Sequence, residues 1–528
     1  MEALRHSSLG RAAVAQKDIN AAIRHYRLAA RSPGATMCHK IQFATILKRT
    51  PASEREARFH ITKMHRRIRR LLRGPAERAR SPMNTNAFDF CVSPPFQISF
   101  YYSADWRALL RDHARLVARS FPELEYAAPE PPLRRPGERI RLGIVSAFVA
   151  HNQSSVMQDF GGMIRRLPRS VFEVTLIQLP GISDGRRWLP HRADRWLDLT
   201  HMNPTRSDCL DTARRAISAL RLHTLFYLDV SMSSVSQQLA WSKLAARQIA
   251  SHGHPVTSGL PRSRMHTFVS WAAAERPTAR LHYSEDLYLL PAEGIHQFYH
   301  PRTDRGVSTV DGWRFSDLRK RDFGWTGPDA VKWYLTMQTT DKRHPRFDRM
   351  LRDIQAADRL ACIIMLKSED KGDQQDVEAR LRSHGVDLKR VFFMARQPHH
   401  RLLALYRLSH VVLDSYPASG CTTTREALEV GGLVVTLPAK YLGSRWSAGY
   451  YSILGVTDLV AASRREYAQL AVRVANDRRF AARVRGRIRR ALPRLFHQQS
   501  AVEAWTEALI HLSGGGMGGW DGWAGGKT

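Results

Sequence analysis

At 528 residues the chain is long enough for two or three domains with large cores, and its hydrophobic fraction of 43% is that of an ordinary globular protein. No apolar stretch reaches the about 20 residues that span a bilayer, and Met1 to Arg11 holds no hydrophobic signal region, so neither a membrane span nor export is expected. The formal net charge of +33 favours acidic partners such as nucleotides, nucleic acid or acidic proteins. The basic residues are spread along most of the chain, and no recognition-helix, zinc or RNP signature accompanies them, so nucleic acid is not expected as the main partner. Cys38, Cys91, Cys209, Cys362 and Cys421 are far apart and form no C-x-x-C pair. That spacing suggests neither a zinc site nor a disulfide framework. It fits a reducing compartment, the cytoplasm or the nucleus.

Residues 1–74 read as a helical segment. Leu9, Gly10, Ala22, Tyr26 and Ala29 fall at the offsets of a single tetratricopeptide repeat, with Pro33 one place early, so Leu9 to Gly34 resembles one such unit. A lone repeat cannot bury both faces and must pack on the next part of the chain. The run K-M-H-R-R-I-R-R-L-L-R at 63–73 places Met64, Ile68, Leu71 and Leu72 at helical spacing. It predicts a packed helix with a solvated basic face. Residues 75–136 form a connector. It is Pro, Ser and Asn rich from Pro75 to Asn86, continues through S-P-P-F-Q-I-S-F-Y-Y-S-A-D-W-R-A-L-L-R into an amphipathic run that reaches Leu124, and ends in the linker P-E-P-P-L-R-R-P.

From Arg139 strands and helices alternate. Arg139–Phe148, Phe172–Leu179, Leu222–Asp229 and Arg247–Ser251 read as strands; Val156–Arg166, Asp208–Leu220 and Gln237–Lys243 read as helices. A second cycle has strands at Val331–Met337, Leu360–Leu366 and Val391–Met394 and helices at Pro345–Ala357, Gln374–Ser383 and His399–Ser409. Such alternation predicts parallel sheets covered on both faces. Residues 137–325 and 326–512 are then two Rossmann-like domains in an α/β GT-B architecture. The helix Ala501–Leu512 packs back on the body, and the Gly-rich tail 513–528 is expected to be disordered.

The stretch from Ser409 to Arg445 carries the chemistry. A buried strand, His410 to Leu413, runs into turn residues from Asp414 to Gly420. Thr422, Thr423 and Thr424 stand where a helix N-cap belongs, Glu426 to Val430 reads as that helix, and Leu433 to Leu437 is another strand. Unpaired N–H groups and the positive end of a helix dipole make such a turn an anion site. Glu426 shares the face of Thr422 and Thr423, so a phosphate at the threonines and a ribose diol at the carboxylate suit it.

L-D-S-Y-P-A-S-G-C-T-T-T-R-E-A-L resembles the nucleotide-binding segment of the O-GlcNAc transferase / SPINDLY family. Three more motifs agree in order. M-Q-T-T-D-K-R-H-P at 337–345 is similar to the family's F-N-x-x-x-K-x-x-P, with Gln338 and Lys342 at the Asn and Lys positions. G-H-P-V-T-S-G at 253–259, with His254 and Thr257, resembles the loop that lies near the donor sugar in the family, and Y-S-E-D-L-Y-L-L-P at 283–291 resembles its Y-S-E-x-L-x-x-[LM]-P. His151, after the first strand, matches a histidine that the family keeps on the acceptor side. The segment S-P-P-F-Q-I-S-F-Y-Y-S-A-D-W-R-A-L-L-R looks like the piece joining repeats to the catalytic domain in bacterial members.

The resemblance implies an inverting, metal-independent glycosyltransferase, moving N-acetylglucosamine from UDP-GlcNAc to Ser or Thr hydroxyls of a protein, with no further cofactor. Lys342, His151 and His254 would be catalytic. Gln338, Gln397, His399, Gly420, Cys421, Thr422, Thr423, Glu426, Thr257 and Arg445 would bind the donor. The chain departs from the family pattern at Cys421 (His), Thr424 (Gly) and Glu426 (Asp), and at Gln397 and His399 where animal members have Ala and Lys. These departures keep open a different donor or acceptor (GDP-fucose, or UDP-glucose onto Asn) and a non-catalytic binding descendant.

Overall fold

The computed structural model describes residues 1–16, 18–75, 93–94, 105–129, 137–151, 154–181, 193–206, 208–253, 256–303, 309–310 and 313–514. His254, most of the connector and the tail from 515 therefore lie outside the described residues.

The amino-terminal segment is four helices: α1 (Glu2–Ala15), α2 (Ile19–Ala29), α3 (Met37–Thr45) and α4 (Glu54–Arg73). Of the repeat-like positions Gly10, Ala22, Tyr26 and Ala29 are buried and Leu9 is exposed; a Cβ on Gly10 would come within 2.5 Å of the Tyr26 ring, so the missing side chain is what lets α1 and α2 close on each other. In α4 the Ser53 hydroxyl caps the Glu56 N–H, and Ala57, Ile61, Met64 and Ile68 form the buried stripe. Within the connector, α5 (Trp106–Ser120) packs on α4, where Asp112 takes both His65 and Arg69 at 2.8 Å. The segment docks on the carboxyl-terminal half through Lys48–Asp376 at 3.1 Å and a hydrogen bond from Arg380 to the Pro51 carbonyl. Cys38, contrary to the expectation from spacing, is disulfide-bonded. Spacing tests for local pairs and says nothing of cysteines that the fold brings together. An oxidised Cys38 does not favour a reducing compartment.

The first sheet comprises β1 (Ile140–Ser146), β2 (Phe172–Gln178), β3 (Arg195–Asp198), β4 (Thr224–Tyr227), β5 (Arg247–Ser251), β6 (Thr267–Trp271) and β7 (Asp286–Leu290), with α6 (Ser155–Arg166), α7 (Cys209–Ser218) and α8 (Ser234–Leu239) between them. Its order is β3-β2-β1-β4-β5-β6-β7, all parallel. A small hairpin, β8 (Thr309–Val310) and β9 (Trp313–Arg314), comes next. The second sheet holds β10 (Lys332–Thr336), β11 (Ala361–Leu366), β12 (Val391–Met394), β13 (Val411–Leu413) and β14 (Val434–Val435), with α9 (Pro345–Ala357), α10 (Lys371–Ser383), α11 (His399–Leu408) and α12 (Thr422–Glu429). It runs β12-β11-β10-β13-β14, again all parallel. The chain then closes with α13 (Trp446–Leu454), α14 (Arg464–Asn476), α15 (Arg478–Ala491) and α16 (Gln499–Ser513). Two parallel α/β halves behind a helical segment are the GT-B arrangement.

Two details differ from the sequence reading, and a third agrees with it. The helix expected at 237–243 begins three residues earlier, because the Ser233 side chain caps it at the Ser236 N–H. The strands β3, β6 and β7 had no clean signal, being four or five residues long. The last helix returns to the first half: the Trp505 indole stacks on Phe226 at 5.2 Å and donates to the His296 carbonyl at 2.7 Å.

Burial holds several histidines neutral. Desolvation pushes His113, His282, His300, His344 and His410 each down to about 4. Between their folded and ordinary values the folded chain binds fewer protons than the unfolded one, so this stability is present above about pH 6.5 and is lost as pH falls towards about 4. Asp229, Asp373 and Asp414, pushed up to about 6 by burial, act in the opposite sense over a similar window but are fewer. Melting temperature is therefore expected to fall on going from about pH 7 to about pH 5; a flat or rising series of melting curves would contradict this balance.

Candidate functional site

In each sheet the strand order reverses beside one strand, and open α/β sheets bind ligands beyond the carboxyl ends of the strands there. In the second sheet that strand is β10, flanked by β11 and β13. The loops leaving β10 and β13 carry Gln338, Lys342 and the 414–421 turn.

Asp414 closes the turn. Its buried carboxylate accepts the Gly420 N–H and the Thr436 hydroxyl, both at 2.7 Å. Gly420 has no room for more: a Cβ would lie 2.6 Å from the hydroxyl oxygens of Thr423 and Thr424. The helix α12 opens four residues earlier than expected, at Thr422 rather than Glu426. Cys421 is its N-cap and gives no side-chain cap, while Thr422, Thr423 and Thr424 form its first turn. The reason is that their hydroxyls are used sideways: Thr423 accepts from Gln338 Nε2 at 2.7 Å, and Thr424 pairs with Ser447 at 2.8 Å. A first turn without a side-chain cap leaves its N–H groups and the dipole to an anion.

Lys342 ends a short 3₁₀ turn, Thr340–Lys342, and its ammonium donates to the Ser419 carbonyl at 3.3 Å. Burial lowers its pKa, while the charge of Asp414 acts against that. Desolvation raises the Asp414 carboxyl to about 6, although hydrogen bonds and Lys342 oppose the shift. The Cys421 thiol lies 3.3 Å from the Tyr450 hydroxyl, and burial pushes it up to about 12, so it is a neutral group at neutral pH.

Glu426 is buried rather than solvated. His399 meets its Oε1 at 2.9 Å and Arg302 at 3.8 Å. Gln397 turns away to Arg401, accepting its Nε–H at 2.8 Å, and to the Ala395 carbonyl. Thr257 is spent inside its own loop, donating to Glu285 at 2.5 Å and accepting the Ser284 N–H. Arg445 spans the two halves, donating to the carbonyls of Ala274 and Ala439. His151 sits in the turn beyond β1, the strand at which the first sheet reverses.

The structure therefore brings Gln338, Lys342, Gly420, Cys421, Thr422 and Thr423 into one corner, with Glu426 further along α12 and paired with His399 of α11. It does not bring Gln397 or Thr257 free into it. One group escaped the sequence reading. Arg425, 1% exposed, meets Asp159 of α6 at 3.3 Å and lies 3.6 Å over the Tyr299 ring; His252 approaches the other Asp159 oxygen at 3.4 Å. The available signal is a charge on an apolar helix face: Asp159 falls among Val156, Met157, Phe160 and Met163.

Residues 328–504 match the model of glycosyl transferase family 41. A UDP-N-acetylglucosamine–peptide N-acetylglucosaminyltransferase from Caenorhabditis elegans is 35% identical over 107 residues, and one from Giardia intestinalis 32% over 139; these cover 20% and 26% of this chain and 9% of each relative. A probable SPINDLY enzyme from Petunia hybrida is 32% identical over 79 residues, 15% of this chain and 8% of the relative. The chain thus matches under a tenth of the length of these curated relatives. The solved structure of a mutant O-GlcNAc transferase from Thermobaculum terrenum shares the fold, with a TM-score of 0.71 and 21% identity over 96% of this chain and 89% of that one. The four motifs, the paired parallel sheets and these matches identify a glycosyltransferase that is similar to the O-GlcNAc transferase / SPINDLY family.

Proposed function

We propose that the chain transfers N-acetylglucosamine from UDP-GlcNAc to Ser or Thr hydroxyls of a protein, with inversion and without a metal ion. The observation that carries this is the tie between the two loops: Lys342 reaches the 414–421 turn at 3.3 Å and Gln338 reaches Thr423 at 2.7 Å. A cation and the open N-terminus of α12 are thereby held close together, which supports a diphosphate site between them. As the acceptor oxygen bonds to the anomeric carbon, the bond from that carbon to the β-phosphate oxygen breaks. The charge left on the diphosphate is met by protein-borne positive groups. His151, on the opposing loop, is the candidate to take the acceptor's proton.

The first test is a thermal-shift series with UDP, UDP-GlcNAc, GDP and GDP-fucose. A nucleotide that binds only the folded chain raises its melting temperature by about 2–5 °C near a hundredfold excess over Kd. UDP and its sugar are expected to do so. Stabilisation by GDP and not UDP would overturn the donor assignment. It would favour the fucose reading.

A further inference from the structure

The exposed side of α4 is not an evenly solvated basic face. It lines a groove of about 640 Å³ whose walls include Arg58, Arg66, Arg69, Arg70 and Arg73, with Asp105 at the α5 end. Two of these cations are committed, Arg58 to Glu54 and Arg69 to Asp112. Among the described residues Arg66, Arg70 and Arg73 have no acidic partner, and all three are exposed. Three neighbouring guanidinium groups on one wall repel each other and wait for an anion.

The groove also leads somewhere. The Asp105 carboxylate acts electrostatically on both His282 and Tyr441. His282 belongs to the first half and Tyr441 to the second, and their rings meet at 4.8 Å. The α5 end of the groove therefore lies at the seam between the two sheets, where a protein acceptor must enter to reach a site built between them. Glu54, one turn before Arg58 on α4, also pairs with Arg346, in the first turn of α9, which begins three residues beyond Lys342.

We propose that the α4 groove binds an acidic segment of the protein substrate and holds it beside the seam, a proposal that rests on the reading of the chain as a protein glycosyltransferase. Carboxylates on an extended peptide match guanidinium forks well. Nucleic acid matches less well: apart from His65, which Asp112 holds, the lining offers no aromatic ring among the described residues on which a base can stack. A membrane surface matches poorly too, because the apolar stripe of α4 (Ala57, Ile61, Met64, Ile68) is buried in the protein core.

The test is fluorescence anisotropy with the full chain and two labelled probes of equal negative charge, a Glu-rich peptide and an oligouridylate, beside an uncharged peptide. The wild type is expected to prefer the Glu-rich peptide. The triple variant Arg66→Glu, Arg70→Glu, Arg73→Glu changes exposed side chains only, and its melting curve should match the wild type. It is expected to bind the acidic peptide roughly 10- to 100-fold more weakly, with a flatter salt dependence, since each exposed charge contact is modest and three are reversed at once. Binding is read without turnover, so a chain that proves inactive does not decide the matter. Equal or tighter binding of the oligouridylate would make this a nucleic-acid face. Acidic-peptide binding that is absent, or indifferent to the triple variant, would overturn the proposal.

Discussion

Lys342→Ala is expected to lower turnover of the nucleotide sugar by roughly 10²–10³-fold while the melting curve barely moves. The charge that Lys342 meets is small in the bound donor and grows as the sugar departs, so its loss is felt in the barrier more than in ground-state affinity. The side chain is only half-buried and its ammonium donates to a backbone carbonyl, that of Ser419, so little packing goes with it. Lys342→Arg should recover part of the rate at most. A planar fork does not fit the space of a compact ammonium between Ser419 and Asp414. Near-wild-type turnover in folded Lys342→Ala protein would remove this residue from the reaction.

The largest stability effect is expected at Asp159. Its carboxylate joins α6 of the first half to Arg425 of α12 in the second, with Arg425 1% exposed. Asp159→Ala leaves a guanidinium buried against the Tyr299 ring without its anion, and breaking such a pair costs about 3–5 kcal/mol. Removing both charges is gentler: Asp159→Ala with Arg425→Met should regain most of that loss, because no charge is then left uncompensated. Chemical denaturation of the two single variants and the double variant gives the coupling directly. Additive losses, with no recovery in the double variant, would mean that the two residues stabilise their own halves independently. Arg425 lies three residues after Thr422, so the pair also fixes how the α12 start faces the first half, and the single variants should lose turnover as well as stability.

The corner around Lys342 was legible because its elements are local. A strand end, a turn rich in Asp, Ser, Pro and Gly, and a run of threonines mark a candidate anion site in the sequence, and Lys342 falls on the neighbouring loop by the order of strands. The finer chemistry was not legible. Whether Thr423 caps a helix or accepts from Gln338 depends on how close the β10 and β13 loops come, which only the sheet decides. Glu426 looks like a ribose ligand in isolation, but His399, twenty-seven residues upstream, already holds it. Asp159 and Arg425 are 266 residues apart, and nothing local marks them as partners. Trp505 reads as a packing residue anywhere; that it packs against Phe226 of the first half is a consequence of the return of the last helix.

If positive groups of the protein alone receive the departing diphosphate, transfer needs Lys342 and no added metal. Intact-protein and peptide mass spectrometry of an acceptor incubated with the chain, UDP-GlcNAc and excess EDTA tests both halves of that statement at once. N-acetylhexosamine is expected on Ser or Thr at the same rate with and without the chelator, and the signal is expected to vanish in Lys342→Ala. Modification that stops in EDTA and returns with added Mn²⁺, or that persists unchanged in Lys342→Ala, would contradict this mechanism.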